Sequence, residues 1–265
     1  MIVQEVIMNI IKEKQVDKLK VKIYATRQDM GEGAAKEAAA KIKELIASKG
    51  EINIVFAAAP SQNEFLASLI ADKEIDWGKI NAFHMDEYVG ISKDASQAFS
   101  NFLRDRIFGK VPFKSVNYID VSAEDPEQEC ERYAALLKEY PADIVCMGIG
   151  ENGHIAFNDP PVADFNDKKT VKVVELDHKC RQQQVNDGCF ATLDDVPKYA
   201  ITLTIPALMS GKYIFCIVPG KTKTEAVTNT VNGEISTACP ATILRTHDNA
   251  ILYVDRDSGK DILNN

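Results

Sequence analysis

Short apolar runs alternate with helix-forming segments along this 265-residue chain, and that alternation is the strongest constraint on its fold. Parallel strands buried on both faces have this continuous apolar character, and the helices between them return the chain to the start of the sheet. We therefore predict an α/β fold: a Rossmann-like, doubly wound, mostly parallel sheet flanked by helices, in one domain over 1–265. The predicted strands are Val21–Ala25, Ile52–Ala58, Ile80–Met85, Asn117–Ile119, Asp143–Met147, Tyr199–Thr204, Tyr213–Val218 and Ala250–Val254, all in that sheet.

Helices are predicted where periodic polar and apolar residues separate these runs. Their ranges are Gly31–Ser48, Glu64–Ile70, Phe99–Phe108, Pro126–Tyr140 and Lys221–Val231. Two further segments are less regular. Residues 1–20 resemble a short amphipathic helix followed by a basic turn. Residues 160–200 are polar and long for a loop, so they form either a functional lid or hidden short elements.

The net charge of −8 argues against nucleic acid or an anionic membrane as partner, because both need a basic face. No uncharged apolar run approaches the roughly 18 residues of a membrane span, and the N-terminus lacks a signal-peptide pattern. The six cysteines show no C-x-x-C spacing, which favours a reducing, cytoplasmic location. A phosphorylated metabolite remains compatible with an acidic chain, because a few local donors suffice to bind it.

A glycine-rich loop, Gly148 to Pro160, follows the apolar run that ends at Met147. Ligands bind beyond the carboxyl ends of strands in such sheets, so His154 is a candidate general acid or base there, with Asn152 and Asp159 setting its tautomer and charge. The alternative is a buried histidine satisfied by backbone. A dinucleotide site is a poor alternative, since G-I-G-E-N-G lies mid-chain rather than after the first strand.

Asp86 and Glu87 follow the Ile80–Met85 run. One of them is a candidate general base at the same edge of the sheet. Adjacent acids also occur at helix N-termini and in solvated turns, and for an isolated Asp-Glu pair that structural interpretation is favoured. The residues alone leave the choice open.

Pro219 to Thr224 combines a glycine turn with lysines and hydroxyls, which is a plausible anion cradle at a helix N-terminus. It is not a Walker A loop, and an ordinary capped helix is at least as compatible with the spacing. The stretch Ala57 to Gln62 is a weaker candidate, where small residues admit a ligand and Ser61 or Gln62 donates to it. Four unpaired histidines argue against a metal site, and no G-x-S-x-G motif supports serine catalysis.

Taken together, these segments resemble the glucosamine-6-phosphate deaminase/isomerase family from about Val21 to Ser258. The specific motifs are F-H-M-D-E-Y-V-G (83–90) and G-E-N-G-H-I-A-F-N-D-P (150–160), supported by D-V-P-K-Y-A (195–200) and G-K-T-K (220–223). The related 6-phosphogluconolactonases share the G-x-x-x-x-G-H core but neither M-D-E-Y nor A-F-N-[ED]-P. The resemblance therefore favours the deaminase branch.

The resemblance implies conversion of a 2-amino-2-deoxyhexose 6-phosphate into a ketose phosphate and ammonia, without metal or other cofactor. His154 would move a proton at the ring oxygen, Asn152 and Asp159 would hold its imidazole, and Asp86 would carry the proton from C2 to C1. The partner would be a small sugar phosphate, and a homo-oligomer is compatible with the family. The residues matched to substrate binding are Ala58, Ala59, Ser61, Gln62, Glu87, Gly150, Gly153, Arg181 and Lys223.

Several positions depart from the family pattern. Asp159 replaces a glutamate, and Ala57 to Ser61 has no glycine and a displaced hydroxyl where the family pattern reads [ST]-G-[GNS]-[ST]-P. The family's phosphate-binding arginine has no counterpart near Gly188-Cys189-Phe190; Arg181 is a nearby substitute, although Asp187 makes this neighbourhood less cationic. We therefore predict retained proton-transfer groups with a remodelled anion pocket. A lactone hydrolase using His154 to activate water, or a non-catalytic sugar-phosphate-binding protein, is the alternative.

Overall fold

The structure is a computed structural model that describes residues 10–264. Eleven strands occur in this part of the chain: β1 (Ile10–Val16), β2 (Leu19–Tyr24), β3 (Ile52–Phe56), β4 (Ile80–His84), β5 (Asp86–Tyr88), β6 (Ser115–Asn117), β7 (Ile144–Met147), β8 (Val171–Glu175), β9 (Tyr199–Leu203), β10 (Tyr213–Val218) and β11 (Ala250–Asp255). The α-helices here are α1 (Arg27–Lys49), α2 (Asn63–Ala71), α3 (Phe99–Leu103), α4 (Pro126–Glu139), α5 (His178–Asn186), α6 (Ile205–Met209) and α7 (Thr224–Asn232).

The main sheet has eight strands in the order β1-β2-β11-β10-β7-β3-β4-β6. Every neighbouring pair is parallel except the β1–β2 hairpin at one edge. The chain runs outward from β3 to β4 on one side and from β7 through β10 to β11 on the other. The strand order therefore reverses at the β3–β7 boundary, which is where open α/β sheets bind ligands beyond their carboxyl ends. The predicted doubly wound sheet is confirmed.

Apolar side chains cover both faces of this sheet. Strands β4 and β7 are buried at every residue. Successive side chains point to opposite faces. Phe56 accordingly packs in one apolar layer, together with helix α1, while Val55 packs in the layer on the other face. Helix α1 contributes Ala34, Ala38 and Ile42, whose helical spacing places them on one buried stripe. These two layers fix the strand ends that carry the site.

A second, antiparallel sheet has the order β5-β9-β8. The prediction that Tyr199–Thr204 lies in the main sheet is wrong, because β9 pairs with β5 and β8 instead. The chain leaves the main sheet at Met85, whose carbonyl accepts a hydrogen bond from the amide of Leu203. The small sheet thus holds Asp86 beyond the carboxyl end of β4.

The predicted helix over 1–20 is wrong for residues 10–20, which form the β1–β2 hairpin; residues 1–9 lie outside the described part. Two residues connect the strands, and Asp17 adopts φ 50°, a left-handed conformation suited to such a turn. Leu19, Val21 and Ile23 are buried in the core, and β2 pairs with β11. Strand pairing therefore outweighs the amphipathic pattern of this segment.

The segment 160–200 contains hidden short elements: β8, α5, a 3₁₀ turn at Leu193–Asp195 and the start of β9. The predicted helix at Phe99–Phe108 is α-helical only to Leu103 and continues as a π-helical turn, Arg104–Phe108. The predicted helix at Lys221–Val231 begins as a 3₁₀ turn, Lys221–Lys223, before α7. All six cysteines are free, and within residues 10–264 no helix has the length and apolar character needed to cross a bilayer.

Candidate active site

One cavity of about 280 Å³ opens at the carboxyl edge of the main sheet. The loops after β3, β4, β7 and β10 line it, together with α5, so it lies at the β3–β7 boundary where the strand order reverses. Seven of the residues predicted from sequence meet in its wall: Ala58, Ala59, Ser61, Asp86, Gly150, His154 and Lys223. Gln62, Glu87, Asn152, Gly153, Asp159 and Arg181 do not line this cavity, although some hold the residues that do.

Asp86 is a buried carboxylic acid with an accessible face in the cavity, where it is 6% exposed. No residue in the described part of the chain donates a hydrogen bond to its side chain. Burial raises the pKa of Asp86 well above its usual range, and the neighbouring Glu87 carboxylate adds to the rise. An ionised Asp86 is therefore a stronger base than an ordinary aspartate.

Glu87 is fully buried and serves the fold rather than the cavity. Its carboxylate accepts hydrogen bonds from the backbone amides of Tyr88 and Phe99 at 3.0 Å and of Ser100 at 2.8 Å. Burial raises the pKa of Glu87, and these three hydrogen bonds oppose the rise. Of the two adjacent acids, Glu87 is thus bonded by the first turn of α3, and Asp86 is the one free to react.

His154 is held by two side chains of its own loop. Its Nδ1 lies 2.7 Å from Oδ1 of Asn152 and 2.8 Å from Oδ1 of Asp159, so the Nδ1 hydrogen is shared between them. Asn152 in turn donates to Asp159 at 2.9 Å. Burial alone would raise the pKa of Asp159, but the charge of His154 and these hydrogen bonds hold it below its ordinary value. The arrangement orients the imidazole and leaves Nε2 for a ligand.

Two glycines of this loop are required by close contacts. A Cβ on Gly150 would overlap the imidazole ring of His154. Gly153 has φ +84°, and a Cβ there would lie 2.5 Å from Sγ of Cys239. The loop is also bonded to the small sheet, because the buried Asn158 amide donates to the carbonyls of Ile155 and Leu203. The glycines therefore leave room for His154, and the bond to the small sheet fixes its position.

Gly150→Ala should lower kcat by about a hundredfold, because the added methyl displaces the imidazole by the order of 1 Å from its reactive position. Steady-state kinetics on purified protein would check this. Gly78→Ala is the matched control, since Gly78 is exposed, has ordinary φ and lies away from the cavity. Unchanged kcat in Gly150→Ala would contradict a catalytic position for His154.

A metal ion would find three buried donors at this point. The ligand atoms of His154, Asp159 and Cys180 lie within 4.8 Å of one another. The Nδ1 atom is already hydrogen-bonded, however, and burial raises the pKa of the Cys180 thiol well above its ordinary value, which disfavours the thiolate that metals bind. The contacts describe a hydrogen-bonded histidine rather than a prepared metal site.

Another part of the cavity wall is cationic. Lys223 is buried there, and burial lowers its pKa while the charges of Asp187 and Glu151 oppose that shift. Ser61 lines the cavity beside the alanine loop, and the buried Gln62 supports it by donating to Oγ of Ser61 at 3.1 Å and to the Ile217 carbonyl at 3.2 Å. Gln62 thus braces the loop after β3 against β10.

Arg181 does not lie in the cavity wall. Its guanidinium donates to the carbonyls of Leu193 and Val196, which stabilises the segment after α5. Helix α5 and its C-cap instead present Gln183, Gln184 and Asp187 to the cavity. Arg27 also lines this cavity, although it was not among the predicted site residues. It lies three residues beyond the carboxyl end of β2, and that position is the signal that would have identified it.

Comparison with known proteins identifies the family of this chain. Residues 25–253 match the family model described as glucosamine-6-phosphate isomerases/6-phosphogluconolactonase. The chain belongs to this family. A glucosamine-6-phosphate deaminase of Streptococcus equi subsp. equi is 34% identical over 89% of this chain and 97% of its own length. One from Bacillus cytotoxicus is 34% identical over 82% of this chain and 80% of its own length.

Solved structures of the family share the fold. A structure described as a monomeric glucosamine-6-phosphate deaminase superposes with a TM-score of 0.83 at 30% identity, covering 91% of this chain and 98% of its own. A 6-phosphogluconolactonase of Thermotoga maritima superposes with a TM-score of 0.74 at 21% identity, covering 90% of this chain and all of its own. The second similarity concerns the fold alone.

Proposed function

We propose that this protein is an enzyme that converts glucosamine 6-phosphate and water, or a close 2-amino-2-deoxyhexose 6-phosphate analogue, into fructose 6-phosphate and ammonia. One observation carries the proposal: Asp86, whose side chain accepts no hydrogen bond from residues 10–264, and His154, which Asn152 and Asp159 orient, line one cavity with a buried lysine. The deaminase relatives at 34% identity support the same reaction.

His154 opens the sugar ring in this scheme. Its Nε2 gives a proton to the ring oxygen as the C1–O bond breaks and takes the proton of the C1 hydroxyl, so that C1 becomes an aldehyde. Asp159 and Asn152 keep the Nδ1 hydrogen in place, so the imidazole presents the same nitrogen in both directions of transfer. The open chain then exposes C2 beside the newly formed carbonyl.

Asp86 then removes the C2 proton, whose acidity comes from the C1 carbonyl of the substrate. The electrons of the broken C–H bond form a C1–C2 double bond, and the carbonyl oxygen becomes the oxygen of an enolate. Asp86 returns the proton to C1, and one proton of the amino group moves to the C1 oxygen, which leaves a hydroxymethyl group at C1 and an imine at C2. Water adds to that imine and ammonia leaves, giving the ketose. The raised pKa of Asp86 makes its carboxylate a stronger base for the C2 proton.

The remaining wall binds the other groups of the substrate. Lys223, Ser61 and the alanine loop at Ala58 and Ala59 are placed to bind the phosphate, and Gly150 brings backbone close to the sugar. Glu87 and Gln62 act behind this wall, and Gly153 keeps its loop in shape. The whole chain then works as one sugar-phosphate domain, with the cytoplasm as the compartment that suits its free cysteines.

A coupled ammonia assay on the purified protein tests this proposal. Glucosamine 6-phosphate should yield stoichiometric ammonia and fructose 6-phosphate. Hydrolysis of 6-phosphogluconolactone without ammonia release would support the lactone hydrolase instead. Sugar-phosphate binding without turnover, unchanged in Asp86→Asn, would show a binding protein. A homo-oligomer stays a prediction, for which light scattering is the measurement.

A further inference from the structure

Two cavity-lining cations are left unused by the proposed mechanism: Lys221, which is exposed, and Arg27. Arg27 is the first residue of α1, just beyond β2, and so comes from a part of the chain far from the motifs that form the rest of the site. Its side chain is 39% exposed, which leaves the guanidinium partly open to the cavity. The inference that follows rests on the proposed function and concerns how the phosphate is bound.

Two contacts fix the guanidinium of Arg27 against the loop after β3. Nη2 donates to the carbonyl of Pro60 at 2.5 Å, and Nε lies 2.8 Å from Oε1 of Glu64. Neither contact uses Nη1, and no other residue in 10–264 accepts from it. The group is therefore held in one orientation with donors left over, as a ligand-binding arginine requires.

The loop that Arg27 supports is the one that the family resemblance associates with phosphate, and here it is poor in donors. Ala57, Ala58 and Ala59 have no side-chain hydroxyl, so Ser61 is the hydroxyl of this stretch that reaches the cavity. The part of the wall at the end of α5 carries a carboxylate, Asp187, rather than a cation. A phosphate at this end needs positive charge from elsewhere.

We propose that Arg27 binds the substrate's phosphate group together with Lys223 and Ser61, and so replaces the arginine that the segment after α5 lacks. The guanidinium offers planar, paired donors to phosphate oxygens, and Lys223 adds a point charge from the loop after β10. Arg27 and Lys223 together supply two positive charges for a dianionic phosphate, and Arg27 adds to a lysine whose charge the nearby Asp187 partly offsets.

Arg27→Gln should raise KM for glucosamine 6-phosphate about thirtyfold, the loss expected for one charge-assisted hydrogen-bonded contact, with little change in kcat. Unphosphorylated glucosamine should be turned over equally, if slowly, by both proteins, because it lacks the group that Arg27 binds. Arg27→Lys should fall between them, since it keeps the charge and loses the paired donors. Steady-state kinetics with both sugars gives all three values.

Two matched variants separate phosphate binding from a structural role. Glu64→Gln removes the ion pair to Arg27 but keeps the guanidinium and its contact with Pro60, so KM should rise far less than in Arg27→Gln. Arg104→Gln removes an exposed arginine outside the cavity wall and should leave KM unchanged. Equal increases of KM in Arg27→Gln and Glu64→Gln would overturn the proposal, as would a thirtyfold loss with unphosphorylated glucosamine.

Calorimetry keeps this inference separate from the proposed reaction. If the wild-type protein releases no ammonia, the proposed function fails, yet fructose 6-phosphate and inorganic phosphate still report on the phosphate contacts. The Kd of each should be about thirtyfold weaker in Arg27→Gln than in wild type, with the melting temperatures compared to exclude unfolding. Equal Kd values in folded proteins would overturn the assignment of Arg27.

Discussion

Asp86→Asn should reduce kcat for ammonia release by about 10²- to 10⁴-fold, the usual contribution of a positioned general base. The amide is nearly the same size as the carboxylate, so substrate binding should change little and the loss should appear in kcat rather than KM. Asp187→Asn is the control within the same cavity. It removes a carboxylate that repels phosphate, so kcat should stay close to wild type while KM falls.

Asp86→Asn should also stabilise the folded protein at neutral pH. The pKa of Asp86 is raised in the folded state, so the folded protein binds this proton more tightly than the unfolded chain does. Its contribution to stability is therefore fully present below the unfolded pKa and is lost as pH rises through the folded pKa. Asparagine does not ionise, so the Asp86→Asn variant does not lose this stability as pH rises. Thermal melts across pH should show a higher Tm than wild type at pH 7 and no difference of this origin below the unfolded pKa.

An inactive Asp86→Asn variant with a raised Tm would distinguish a lost base from a misfolded protein. Retained kcat would exclude Asp86 as the base. A lowered Tm at pH 7 would mean that the carboxylate is stabilised in the folded state by donors, in conflict with its lack of hydrogen bonds among residues 10–264. Activity and stability thus test the same feature of Asp86 independently.

His154→Gln should lower kcat by about 10²- to 10⁴-fold, because glutamine cannot exchange a proton with the ring oxygen near neutral pH. A higher substrate concentration should not restore the rate, because ring opening on the protein precedes the C2 proton transfer. Steady-state kinetics in the coupled ammonia assay gives this value, and a retained kcat would contradict the role of His154.

Asp159→Asn is the informative companion to His154→Gln. It keeps the imidazole but replaces an acceptor at Nδ1 with an amide that also carries hydrogens, so orientation and charge support are weakened. The kcat for ammonia release should therefore fall, but less than in His154→Gln, because the imidazole itself remains. An unchanged kcat would contradict a role for Asp159 in holding His154.

Much of the site is encoded locally, which explains why sequence motifs located it. The runs that became β4 and β7 are apolar throughout, and the loops that follow them carry Asp86 and His154 at strand ends. Parallel strands bring such ends to one edge, so their common cavity could be predicted. The partnership of His154 with Asn152 and Asp159 is likewise contained within eight residues.

Contacts between distant segments account for what the sequence analysis missed. The Glu87 carboxylate accepts hydrogen bonds from the backbone amides of Phe99 and Ser100, twelve and thirteen residues away. No local sequence pattern shows that Glu87 has such donors while Asp86 has none among residues 10–264. Arg27 reaches the cavity from the start of α1, and Arg181 is turned away by carbonyls beyond α5. The β1–β2 hairpin similarly depends on pairing with β11.

The fate of the C2 hydrogen tests the central claim most directly. Glucosamine 6-phosphate carrying deuterium at C2 is incubated with wild-type protein and with Asp86→Asn, and the product is followed by NMR. With the wild-type protein, deuterium should leave C2 and part of it should appear at C1 of fructose 6-phosphate; with Asp86→Asn it should stay at C2. Loss of deuterium from C2 at the wild-type rate in Asp86→Asn would contradict the account.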